Sequence, residues 1–149
     1  MGKTVATSFT KRKLEQWLES LTRPRKELGG LAICPYLKNY KEKIHLAKNA
    51  NPEKLARHFA DVKDIFRFEG CVVYGFWMGW NRMEKMVALL NKELKHKDVC
   101  CFMFHPDGDE SVLPVEYPFD IPLLIVQKIS TLEKAKKQLS KTNYYKHYK

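Results

Sequence analysis

Two short segments hold residues whose types could do chemistry. In Leu31-Ala32-Ile33-Cys34-Pro35-Tyr36-Leu37, proline suits the first turn of a helix, so Cys34 falls at or near an N-cap. Unpaired amides and the helix dipole at such a position favour a thiolate, which is how a nucleophilic or redox-active cysteine is made. In Phe104-His105-Pro106-Asp107, His105 closes an apolar run that reads as a central strand, and ligands of α/β sheets gather at strand ends of that kind. Its imidazole suits a base near neutral pH or a metal ligand, and Asp107 could orient it or add a carboxylate. A Cys34–His105 pair would permit thiolate catalysis, whereas Cys34, His105 and Asp107 together would suit iron, copper or zinc. The plainer alternatives are a small apolar residue capping a helix and a polar strand-exit turn shaped by Pro106 and Gly108.

A second constellation is electrostatic. Residues 1–26 carry seven Lys/Arg against two acids, residues 134–149 carry six Lys and no acid, and residues 27–133 carry fourteen bases against fifteen acids. The net charge of +10 therefore sits at the two ends of the chain. Lys11, Arg12, Lys13, Arg23, Arg25 and Lys26 stand at the front. Lys136, Lys137, Lys141, Lys146 and Lys149 stand at the back, interleaved with Tyr144, Tyr145 and Tyr148. Lysines neutralise phosphates and tyrosines stack on bases, so a nucleic-acid partner is the second functional expectation. Docking on an acidic protein surface is a third, and solvated helix faces are the plain reading of the same charges.

Familiar signatures are missing. The chain has no glycine-rich phosphate loop, no dinucleotide fingerprint, no HExxH and no GxSxG. Its four cysteines (Cys34, Cys71, Cys100 and Cys101) include no CxxC pair. Three of them lie in apolar runs, which reads as buried thiols in a reduced, cytoplasmic setting. No run approaches the roughly 18 apolar residues of a membrane span. The N-terminal segment lacks the apolar region of a signal peptide, so neither membrane nor export is expected.

The elements that must position these residues are legible from periodicity. Leu14, Trp17, Leu18 and Leu21 predict a helix over 11–21, capped by Ser8 or Thr10 and ended before Pro24. Asn51-Pro52 predicts a helix start, with Leu55, Phe59, Val62 and Phe66 as its inward stripe. Asn81 and Glu84 have capping-box spacing ahead of a stripe of Met83, Met86, Val87, Leu90 and Leu94. A last helix spans 131–139. Strands are expected near 43–48, 71–78 and 99–104, the second central because it is apolar on both faces. The stretch 121–128 fits helix or strand equally. One domain of 149 residues results, α+β or α/β, with a small mixed sheet covered by helices. A split-βαβ, ferredoxin-like arrangement fits so few strands.

The order of several pieces resembles an uncharacterised bacterial protein family, a domain of unknown function. Its members have an N-terminal helix with a tryptophan, a Leu-Cys-Pro-Phe segment, a strand ending in Phe-His-Pro-Asp-Tyr, and a Ser-Pro-Tyr-Pro segment before an apolar stretch and a short helix. The matching pieces are Trp17, Ile33-Cys34-Pro35-Tyr36, Phe104-His105-Pro106-Asp107 and Glu116-Tyr117-Pro118-Phe119, spread over about three quarters of the chain. Arginine commonly follows the apolar stretch in that family, and Lys128 holds a similar place here. Gly108 replaces the tyrosine after His-Pro-Asp, Glu116 replaces the serine before Tyr-Pro, and the middle is shorter. The resemblance implies that Cys34 and His105 belong to one site, and it implies no reaction. The first expectation is therefore a small intracellular enzyme or metal-binding protein built on Cys34, His105 and Asp107, acting on a small molecule.

Overall fold

The computed structural model describes residues 10–20, 44–107 and 117–139. Within them the chain runs α1 (Lys11–Ser20), β1 (Ile44–Lys48), α2 (Pro52–Phe66), β2 (Gly70–Tyr74), α3 (Trp80–Leu94), β3 (Val99–Phe104), β4 (Leu123–Lys128) and α4 (Ile129–Leu139). The helix expected at Cys34 lies outside the described residues.

Local chemistry sets the helix ends. Thr10 Oγ1 accepts the Lys13 amide N–H at 3.1 Å, Asn51 Oδ1 accepts that of Lys54 at 3.1 Å, and Pro52 fills the first turn of α2. Asp98, in the left-handed region at φ 64°, turns its carboxylate across to α4. There it accepts the Ser130 amide at 2.9 Å and the Ser130 hydroxyl at 2.5 Å, so α4 is capped from a different element. The expected Asn81–Glu84 capping box does not form. α3 begins at Trp80 with Gly79 as its N-cap and no side-chain cap, which leaves Asn81 exposed inside the first turn.

α2 buries only part of the stripe its large residues suggest: Phe59 is in the core and Leu55 packs against it. Pro52, Ala56, Phe59, Ala60 and Lys63 face inward, while Phe66 is exposed. Small Ala56 and Ala60 let the helix approach the sheet closely. Lys63 lays its stem along the core and brings Nζ to the Ala60 carbonyl (3.4 Å) and the Asp64 carboxylate (3.3 Å). The bidentate Arg57–Glu93 contact (2.6 and 3.2 Å) and Lys97–Asp61 (2.7 Å) tie α2 to α3 and to the turn after it.

The sheet order is β1-β2-β4-β3. β1 runs parallel to β2, and β4 runs antiparallel to both β2 and β3, so β1, β2 and β3 share one direction. The result is an α+β fold on a mixed sheet. The β2–α3–β3 unit is a split βαβ with β4 between its strands, whereas β1–α2–β2 pairs directly. The element order therefore departs from a ferredoxin-like chain, which needs two split units. The strand expected over 71–78 stops at Tyr74, because Gly75 turns the chain at φ 85°, a conformation that favours glycine.

Each face of the sheet has its own core. Cys71, Val73, Val99, Cys101, Leu124 and Val126 pack under Phe59, Met83, Met86, Leu90 and Leu94 of α2 and α3. Val72, Tyr74, Leu123 and Ile125 pack against Leu14 and Trp17 of α1 and against Tyr117 and Phe119. Trp17 sits at the centre of this second core, edge-on to Phe104 (5.0 Å), Tyr117 (5.3 Å) and Phe119 (5.8 Å).

β3 is an edge strand, not the central one its apolar sequence suggests. Its outward backbone is met at Cys101 by a side chain. Asn91 Oδ1 accepts the Cys101 N–H at 2.6 Å and Asn91 Nδ2 donates to the Cys101 carbonyl at 3.2 Å, as a neighbouring strand would. Asn91→Ala is expected to lower unfolding free energy by about 1–3 kcal/mol, because both backbone groups lose their partner in a part-buried place. Urea unfolding with an unchanged midpoint would show that water replaces the amide fully.

Candidate functional site

The three parallel strands end together at Lys48, Tyr74 and Phe104, beside the start of β4. His105 follows β3 at this end and is only 3% exposed. Its ring is held from both sides by main chain. The Asp107 N–H donates to Nδ1 at 3.0 Å, so Nδ1 carries no proton, and Nε2 donates to the Met78 carbonyl at 2.8 Å. This fixes one tautomer and ties the loop after β2 to the loop after β3. The Asp107 carboxylate is exposed and lies 3.8 Å from Nδ1, which as an unprotonated acceptor has no hydrogen to give it.

Two tryptophans complete the cluster. Trp77 lies 5.5 Å from the His105 ring at 50°, and Trp80 lies edge-on at 5.6 Å. Trp77 is nevertheless 61% exposed, an unusual state for so large a ring, and so presents a planar face to solvent. Between them Gly79 opens α3, and a Cβ at that position would meet nothing within 4 Å. Composition at this strand exit (Trp77, Gly79, Trp80) was the available signal for these residues, but only the tertiary fold brings them to His105.

With both nitrogens engaged, His105 can take a metal or act as a base only by releasing Met78 or Asp107. Among the described residues no group of three His, Cys, Asp or Glu side chains could hold a metal ion. Cys34 lies outside those residues, so its distance to His105 is not part of this geometry. Lys128, the residue matched to the family's arginine, stands at the far end of the strands. It pairs with Val99 while Leu123 pairs with Phe104, and Lys128 Nζ lies 3.5 Å from Asp64. A strand of that length separates the two by about 17 Å.

Of the basic positions, Arg12 is exposed and Lys13 half-buried on α1, and Lys137 is exposed on α4. Arg23, Arg25, Lys141, Tyr144 and Tyr145 lie outside the described residues. No helix of the described residues is long and apolar enough to cross a membrane. Comparison with family models, with curated proteins and with solved structures finds no match to this chain.

The described thiols divide by environment. Cys71 and Cys101 are buried on the same face, and loss of solvent pushes each up to about 12. Both stay protonated at neutral pH and are poor nucleophiles. The linkage follows directly. In the unfolded chain these thiols ionise near pH 8.5–9, whereas the folded chain keeps their protons to about 12, so their contribution is constant below that range and is lost as pH rises through it. Stability is expected to fall by about 1 kcal/mol per thiol between about pH 9 and 10. Urea unfolding of the wild type and of Cys71→Ala across that range checks it, the variant having the shallower slope. Separately, His105→Phe keeps a ring of similar size and removes both main-chain bonds. It is expected to cost about 2–4 kcal/mol, and an unchanged unfolding midpoint would show that those bonds add nothing.

Proposed function

We propose that this domain is a small thiol-dependent enzyme that works at the C-terminal end of its three parallel strands, with Cys34 as the nucleophile and His105 as a positioning residue. The observation that carries the reading is the locked imidazole. A buried histidine held by two main-chain bonds fixes two adjacent loops and leaves Trp77 exposed beside it, which suits a rim that holds a planar small molecule. The buried Cys71 and Cys101 are unsuited to nucleophilic work, and Cys100 lies within strand β3, away from any helix start; we assign the thiolate role to Cys34, where Pro35 and the apolar run suit a helix start. The resemblance through the Cys-Pro and His-Pro-Asp segments supports placing both in one site. A metal-bound version would need His105 to release a main-chain partner, and this makes bare thiolate chemistry the preferred form.

Alkylation of the native protein with iodoacetamide, read by mass spectrometry, tests this. Cys34 is expected to react at neutral pH at least about tenfold faster than in the urea-unfolded chain, as a thiol of lowered pKa does. His105→Phe is expected to slow that labelling. Equal rates in native and unfolded protein would remove the enzymatic reading.

A further inference from the structure

We propose that the end of the sheet opposite His105 is a stacking platform for single-stranded nucleic acid. Phe66 is the last residue of α2, Phe68 leads into β2, and His45 lies on β1 opposite Cys71, all toward the end where the parallel strands begin. Their rings form a ladder. His45 stacks on Phe68 at 5.1 Å and 19°, and Phe68 stacks on Phe66 at 5.9 Å and 27°. Phe66 is 59% exposed and neighbouring Ile65 is exposed too, so the ladder ends on a free aromatic face rather than in the core. A base accepts such a face whatever its identity, which suits recognition of single strands.

The charges around the ladder fit a phosphate backbone. Arg67 is exposed between the two phenylalanines. Asp61 is paired with Lys97 and Asp64 with Lys63 and Lys128, while the Glu69 carboxylate accepts from the Thr131 hydroxyl and is turned toward α4. The Lys128 N–H donates to the Glu69 carbonyl at 3.2 Å, which anchors the start of α4 one residue from Phe68. On α4, which begins beside this contact, Lys134 and Lys137 are exposed. Aromatic stacking and the exposed Arg67 guanidinium meet at this end of the sheet. This interface is separate from the His105 edge, and neither depends on the other.

Fluorescence anisotropy of the full chain with labelled oligo-dT and oligo-U of about twelve nucleotides, at about 50 and about 200 mM salt, tests the proposal. Both oligonucleotides are expected to bind more tightly than a duplex of equal length. Phe66→Ala should weaken binding at least about fivefold without changing the salt slope, and Phe66→Trp should restore it. The Lys134→Gln, Lys137→Gln double variant should reduce the slope itself. Phe66 is exposed, so its variants are expected to unfold at the wild-type midpoint. Binding that Phe66→Ala leaves within about twofold would assign the interaction to charge alone and overturn the platform. So would the absence of binding at low salt. A wild type that self-associates and becomes monomeric with Phe66→Ala, without binding either oligonucleotide, would assign the patch to a second copy of the chain and overturn it equally.

Discussion

The burial of β4 on both faces is the constraint from which the rest of this structure follows. Leu124 and Val126 enter the core beneath α2 and α3, while Leu123 and Ile125 enter the core beneath α1. Burying four such side chains contributes about 1.5–3 kcal/mol each, comparable in sum to the whole net stability of a domain this size. Only a strand flanked on both edges and covered on both faces can realise that burial. β4 meets this by separating β2 from β3, whose crossover through α3 leaves a gap one strand wide. β1 then has to pair with the other edge of β2, and β3 becomes the opposite rim, where the Asn91 amide pairs with Cys101.

This arrangement gives the sheet two chemically different ends. At one, the strands finish in loops that His105 binds together through main-chain bonds, beside Trp77 and Trp80. At the other, α2 ends in a left-handed Arg67, charged pairs link neighbouring elements, and the C-terminal helix begins. The antiparallel run of β4 is what places Lys128 at the second end and not beside His105. Two residues that look adjacent in a list of motifs are thus held apart by one strand direction.

Much of the architecture was legible because it is encoded locally. The Asn51-Pro52 start of α2 and the Met83/Met86/Leu90/Leu94 stripe of α3 each depend on neighbours in sequence, and each is present. The errors share a different cause. Leu123–Val126 carries no period because both its faces are buried, so strand and helix looked alike. Val99–Phe104 is apolar enough to look central, yet it is an edge strand whose open side a helix side chain meets at Cys101. Phe66 fits a helical stripe by spacing, but Ala56 and Ala60 win the inward face because small side chains allow close packing. Of the candidate site, the position of His105 at a strand exit was readable. Its main-chain partners were not, since Met78 is 27 residues away and joins it only through the order of strands.

The late position of β4 in the chain has a consequence for synthesis on the ribosome. β1, α2 and β2 can pair as soon as they emerge, being adjacent both in sequence and in the sheet. β2 and β3, by contrast, each present an unpaired inner edge until residues 123–128 clear the exit tunnel. Through that interval the nascent chain carries two open β edges lined with valine, cysteine and phenylalanine, the type of surface that recruits other strands. Because the strand that completes the sheet is translated last among its four, the larger half of the sheet closes only once β4 has emerged. Its vulnerability to aggregation is greatest in the interval between the synthesis of β3 and the release of β4.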